Sequence, residues 1–331
     1  MAAADLVITG TVLTVDDTRP TAEALAVADG RIVAVGDRSE VAGFIGPNTQ
    51  TVDVGDGCVM PGLIEAHGHP LMEAIALSDR LVDIRPVTMR DADEVVAATR
   101  TIGVTPGSCG HANYTAEQLT EIVGAYFPLG WPMACHVQGD AGVDTILDVY
   151  EEARRQHPRD DHRLRLEHVG AIRDEQLRRA ADLGVTCSIF VDQIHYWGDV
   201  IVDGLFGEER GSRWMPAGSA VATGMRISLH NDPPVTPEEP LRNISVAVTR
   251  KAPSGRVLGP EERLTVEQAI RAQTIDAAWQ PFSDDIVGSP EVGKYADLVV
   301  LSADPRSVLP EEIADLEVRA TFLAGGRVYA S

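Results

Sequence analysis

Val59-Met60-Pro61-Gly62-Leu63-Ile64-Glu65-Ala66-His67-Gly68-His69-Pro70 is the stretch on which the reading of this chain turns. It is a short apolar run closed by two histidines with one residue between them. Read as a buried strand over 63–66, it sends His67 and His69 from its C-terminal end on one face, about 6–7 Å apart at Cα. Two imidazoles so placed can share one divalent cation. A pair of loop histidines behind a core strand is the competing reading. What separates the two is whether the remaining chain supplies further ligands.

The bulk of the sequence sets the frame. A chain of 331 residues, 44% hydrophobic and 24% charged, is long enough for one large domain with a satellite. Its formal charge of −22 argues against nucleic acid or an anionic membrane as partner, since both need a basic footprint. No apolar run approaches membrane-spanning length. The first residues carry neither a basic nor an apolar signal region, so no secretory leader is expected. Cys58, Cys109, Cys135 and Cys187 have no paired spacing, which suits a reducing cytosol and predicts a cytoplasmic protein.

Both ends of the chain read as β-structure. Residues 5–10, 11–15, 24–28, 31–35 and 51–54 are strand-like, with Asp29-Gly30 as a hairpin turn. Residues 296–301, 318–322 and 327–329 are strand-like again. A composite β-sandwich of residues 1–58 and 285–331 is the economical arrangement, with residues 59–284 as an inserted second domain. That middle alternates strands (133–136, 164–168, 185–190, 225–229) with helices (140–156, 174–183, 216–223, 239–249, 265–278), an order that predicts a parallel sheet covered by helices, most simply a (β/α) barrel.

Active sites of such barrels collect at the C-terminal ends of the strands. Those ends carry His67, His69, His136, His168 and Asp232, nitrogen and carboxylate donors of the kind zinc takes. Each has a plain reading by itself: His136 and His168 as core histidines, Asp232 as the opening residue of a turn before Pro233-Pro234. Their coincidence at successive strand ends favours a metal site. His157 and His162 read as solvated loop residues, and His230 as a core or supporting histidine. His111, His195, Tyr196, Trp197, Arg213 and Trp214 lie in segments read as loops that could line a substrate pocket.

The sequence resembles the amidohydrolase superfamily, within it the branch around N-substituted formamide deformylase called amidohydrolase family 3. The matching pieces are Ala4-Asp-Leu-Val-Ile-Thr-Gly10, Ala28-Asp-Gly-Arg-Ile-Val-Ala-Val35, Pro61-Gly-Leu-Ile-Glu-Ala-His-Gly-His69, His136-Val-Gln-Gly-Asp140, Leu166-Glu-His168, Asn231-Asp232 and Gly293-Lys-Tyr-Ala-Asp-Leu-Val-Val300. The resemblance implies an α/β fold with a (β/α)8 TIM-type barrel and a β-sandwich from both termini. It implies one or two divalent ions, zinc by preference, ligated by His67, His69, His136, His168 and Asp232. The implied chemistry is hydrolysis of a C–N bond in a small amide or N-substituted formamide by a metal-activated water, with Asp232 as general base and acid.

Two departures from that pattern matter. His168 follows His136 by 32 residues and Asp232 follows His168 by 64, one and two βα units of a single length. On that ruler strand one to strand five needs about 128 residues, but His136 follows His69 by only 67. About two βα units are missing, which predicts an internal deletion joined near 97–103 and an incomplete barrel able to pair with another chain, so a homo-oligomer is possible. Residues 91–100 and 115–126 read as helices, and 81–87, interrupted by Pro86, as a poor strand. The second departure is chemical. The only lysines, Lys251 and Lys294, are misplaced for the carboxylated lysine that bridges two metals in many relatives. Cys109 is the only soft donor near the gap, and Glu65 stands where relatives usually carry aspartate. A single-metal cyclic-amidine deaminase is an alternative, opposed by Gln138 where those relatives carry glutamate. A truncated, catalytically inactive remnant is another.

Overall fold

A computed structural model describes residues 3–16, 18–69 and 112–331. The expected join at 97–103, the poor strand at 81–87, the helix at 91–100, Cys109 and His111 lie outside the described residues. Eleven strands are found among those described: β1 Leu6–Leu13, β2 Thr21–Ala28, β3 Arg31–Gly36, β4 Gln50–Pro61, β5 Ala134–Val137, β6 Arg165–His168, β7 Thr186–Ile189, β8 Ile227–Leu229, β9 Leu298–Leu301, β10 Val318–Leu323 and β11 Gly326–Ala330. They form two sheets, and the chain divides into two compact units.

The first unit comprises Met1–Ala66, Pro240–Val248 and Leu264–Ser331. It holds a seven-stranded sheet in the order β11-β10-β9-β4-β1-β2-β3, so the two ends of the chain do meet in one sheet. Strand alternation explains its two faces. Leu6 and Ile8 join Leu25, Val27, Val59, Leu298, Val300 and Phe322 in one core, while Val7 faces Ala24, Ala26 and Val41 in another. The first cluster draws on strands from both halves of the sheet, so one core joins the two ends of the chain. The register shifts in β1 beyond Thr9, and Gly10 sits there at φ +137°, a value few other residues adopt. Asp29 and Gly30 both take positive φ, the turn that an Asp-Gly pair favours between strands.

The second unit comprises His67–Glu239 and Thr249–Arg263. It contains the parallel sheet β5-β6-β7-β8, with helices between successive strands including Asp140–Gln156 and Asp174–Asp182. Helix Asp140–Gln156 buries Val143, Ile146, Leu147 and Tyr150 on one face. Helix Asp174–Asp182 ends before Gly184, whose φ of +67° suits the residue after a helix. The helix Ala116–Tyr126 opens with a Thr115–Gln118 capping box.

Four local expectations are corrected. Residues 62–66 are not a strand: β4 already ends at Pro61, within the terminal sheet, and His67 and His69 stand on irregular chain. Val59 and Met60 are the apolar residues paired with β9, and Gly62 donates to Asp297 O at 2.8 Å before the chain leaves the sheet. The segment around His195 is helical, Gln193–Val200, because Ile194 and Gly198 bury one face at helical spacing. The helix read over 265–278 is two, Val266–Ala272 and Ile275–Trp279, broken at Thr274, whose backbone is not helical. Finally, His162 is buried rather than solvated. Its Nε2 meets Leu183 O at 3.0 Å, and its Nδ1 accepts from Leu164 N at 3.0 Å.

Candidate metal centre

Register across the parallel sheet fixes what one face offers. His136, Glu167, Ser188 and Ser228 are successive partners on β5, β6, β7 and β8. Register partners point the same way, so this row is polar, whereas Leu166, Cys187 and Ile227 on the opposite face are buried and apolar. Alternation would send His168 to the apolar side, away from Glu167. It does not, because His168 and Val169 take φ of +72° and +54° and turn the chain at the strand's end. Beyond β8 the chain turns similarly at Asp232, φ +55°. Asn231 secures that turn from below: its Nδ2 donates to Asp192 Oδ2 at 3.0 Å, its Oδ1 accepts from Glu239 N at 3.0 Å, and its carbonyl accepts from Thr236 Oγ1 at 2.5 Å.

The five anticipated ligands come together. The ring of His67 lies 5.0 Å from that of His69 and 4.8 Å from that of His168, and His136 lies 4.4 Å from His168, centre to centre. Nε2 of His67 and Nε2 of His69 each approach Asp232 Oδ1 to 3.2 Å. His69 N donates to Pro233 O at 2.8 Å, tying the first histidine segment to the aspartate's turn. Donor atoms of His67, His168 and Asp232 all lie within 4.8 Å of one another.

His67, His168 and Asp232 fit a divalent cation. Atoms sharing a tetrahedral zinc at about 2.0–2.1 Å sit roughly 3.3 Å apart, close to the 3.2 Å between His67 Nε2 and Asp232 Oδ1. Among the described residues, His168 Nδ1 is buried without a hydrogen-bond partner. For His168 and His136 the protonation pattern is suitable too, since a ligating imidazole must be neutral. Burial, reinforced by His136, His67 and His69, pushes His168 down to about 3. Burial likewise lowers His136 and, more strongly, His230. His67 goes the other way: burial opposes its charge, but the Asp232 and Glu167 carboxylates outweigh it and raise it to about 9.

Two neighbours complete the cluster: Glu167, which went unanticipated, and His230, which stands where a core or supporting histidine was expected. Glu167 is 2% exposed, places Oε2 3.2 Å from His67 Nδ1 and accepts from Arg165 Nε at Oε1. His230, fully buried, packs its ring 4.9 Å from His67 and 5.0 Å from His168. The signal for Glu167 was in the sequence, in the triplet Leu166-Glu167-His168, where it shares a strand face with His136 by register.

Of the pocket candidates, Trp197 packs on Phe190 at 6.3 Å, and Phe190 lies against His230 at 5.1 Å, so this tryptophan is linked to the cluster. Tyr196 lies between His195 and Trp197. Arg213 is held by Asp174, Ser219 and Glu262, none of them a cluster residue. Trp214 donates to Gln193 Oε1 at 2.8 Å and stacks on Phe206.

A model of the amidohydrolase family matches residues 82–329. The chain belongs to the amidohydrolase family. Over 212 residues it is 32% identical to N-substituted formamide deformylase of Arthrobacter pascens, a match covering 64% of this chain and 39% of that protein. A putative amidohydrolase of Bacillus subtilis, YtcJ, is 27% identical over 230 residues, 68% of this chain and 42% of that one. The chain thus spans about two fifths of the length of the curated relatives it matches. In fold it is similar to an uncharacterised metal-dependent hydrolase of Pyrococcus horikoshii, with a TM-score of 0.72, 16% identity, and cover of 92% of this chain and 99% of that one.

Proposed function

We propose that this amidohydrolase holds one divalent cation, zinc by preference, on His67, His69, His136, His168 and Asp232, and hydrolyses a C–N bond of a small amide or N-substituted formamide. The observation that carries the reading is the convergence of His67, His168 and Asp232 donor atoms within 4.8 Å. The same reading takes the parallel sheet β5–β8 as the second half of a (β/α)8 barrel whose first half is shortened, with residues 59–284 as the barrel domain and 1–58 with 285–331 as the sandwich domain.

When bound, the cation supplies Lewis acidity: it lowers the pKa of a water and polarises the carbonyl under attack. The rest falls to side chains. Asp232, held in its turn by Asn231, accepts the proton of the attacking water and returns it to the leaving nitrogen. A formamide R–NH–CHO and water give the amine R–NH2 and formic acid. His136 and His168, kept neutral by burial, are available as donors rather than as charged groups repelling the cation. Trp197, with Tyr196 and His195 on the same helix, faces the substituent in this reading.

The test is turnover of an N-formyl amine by zinc-loaded protein, measured as amine released. Activity lost in His67→Ala with zinc content reduced supports the proposal. The βα units missing between His69 and His136 favour a second reading, a non-catalytic remnant; zinc binding without turnover would select it.

A further inference from the structure

His67 stands on irregular chain, so no strand backbone fixes the direction of its ring. Something else must, because the imidazole carries two nitrogens and only one of them can face a shared cation. Nε2 lies on the Asp232 side, 3.2 Å from Oδ1, while Nδ1 lies on the opposite side, 3.2 Å from Glu167 Oε2.

Glu167 is well suited to hold it. The residue belongs to β6, hydrogen-bonded on both sides to β5 and β7, and is 2% exposed. Its Oε1 is occupied by Arg165 Nε, two residues back on the same face of the strand. Among the described residues, its Oε2 is buried without a well-formed hydrogen bond. A buried carboxylate oxygen in that state costs free energy unless a donor turns toward it, and the His67 Nδ1–H is within reach.

We infer that Glu167 is a positioning residue: it takes the Nδ1 proton of His67 as a hydrogen bond, fixes the ring's tautomer and direction, and leaves Nε2 as the donor for the cation. Arg165 in turn fixes the carboxylate. The rigid sheet thereby orients a histidine carried by a loop. Carboxylate partners of this kind typically change metal affinity by about 10–100-fold when removed. The inference rests on the metal reading for its consequence, but the Glu167–His67 contact can be tested without metal.

Two measurements on the full chain decide it. In a zinc competition titration, Glu167→Ala is expected to weaken zinc about 10–100-fold, and Glu167→Gln, whose amide oxygen still accepts, to recover most of that loss. In metal-free protein, NMR of the imidazole N–H groups should show a protected Nδ1 proton on His67 in the wild type and in Glu167→Gln, lost in Glu167→Ala. Should Glu167→Ala not fold, Glu167→Met keeps the side-chain volume and carries the same expectation. A Nδ1 proton equally protected without the carboxylate overturns the inference, as does a zinc affinity in Glu167→Ala equal to that of a wild type that binds zinc. A wild type that takes up no zinc overturns the metal reading instead, and the ring-proton result still decides the role of Glu167.

Discussion

Arg250 is a fully buried cation whose removal should be the most damaging single change in the second unit. Its guanidinium faces four backbone carbonyls: Nε donates to Leu258, Nη1 to Met215 at 2.9 Å, and Nη2 to Trp214 at 2.7 Å and Ser212 at 3.2 Å. Burial pushes it down to about 10, which leaves it charged at neutral pH. The segment it clamps reaches the site. Met215 N donates to Gly170 O at 3.0 Å, and Gly170 N donates to Gln138 Oε1 at 3.2 Å, just past His168. Arg250→Met retains an apolar stem and strips every donor. Four hydrogen bonds to a charged group, at about 1.5–3 kcal/mol each, total roughly 6–12 kcal/mol gross. Relief of burying the guanidinium offsets several kcal/mol of that, giving a net loss of about 3–5 kcal/mol, the usual range for breaking a buried charge from its partners. At about 2–4 °C per kcal/mol for a unit of this size, the melting temperature should fall by roughly 6–20 °C. Urea unfolding followed by tryptophan fluorescence reads the change, since Trp131, Trp197 and Trp214 all lie in this unit. Arg250→Lys should fall between, because an ammonium offers three donors from a single point. An Arg250→Met protein within about 1 kcal/mol of wild type, or one no worse than Arg250→Lys, would refute the clamp.

Further expectations concern the histidines and a glycine. In metal-free protein, His168 titrates near 3 and His136, His162 and His230 are also lowered, while the unfolded residues titrate near 6.5. The unfolded state therefore binds more protons in acid, and stability should fall as pH drops from about 6.5 toward 3. His67, raised to about 9, has the opposite sign: its contribution is complete below about 6.5 and lost as pH rises through 9. A melting-temperature profile in chelator should thus decline on both sides of neutrality, and a flat acid limb would contradict the buried neutral histidines. His162→Leu should cost about 2–4 kcal/mol by orphaning Leu164 N and Leu183 O, read by urea midpoint. At Gly170 an added Cβ would overlap the Trp214 ring and Gln138 Oε1, so Gly170→Ala should cost about 1–3 kcal/mol and shift tryptophan emission.

Much of this was legible in the sequence, for identifiable reasons. The Asp29-Gly30 turn, the Thr265-x-x-Gln268 cap and the one-sided helix 140–156 are local signals, and each appears where residue chemistry alone would put it. The candidate donors were legible in the sequence, and the structure brings those of His67, His168 and Asp232 within 4.8 Å of one another. What was not legible depended on contacts distant in sequence. The run before His67 reads as a strand of the barrel, but its apolar residues Val59 and Met60 are taken by β9, some 240 residues on. His162 sits among charged residues in sequence, yet its two ring nitrogens are matched by backbone groups from neighbouring segments. Glu167 and His168 are neighbours on one strand and reach the same cluster only through a left-handed backbone at His168, which no periodicity rule anticipates.

The central claim is that His67, His69, His136, His168 and Asp232 form one cation site. Zinc content by elemental analysis, on full-length wild type and on His168→Ala purified in parallel and shown folded by circular dichroism, tests it most directly. The account predicts about one zinc per wild-type chain, retained through dialysis, and little in the variant. A well-folded wild type that binds no zinc, or a His168→Ala variant that binds it equally, would contradict it.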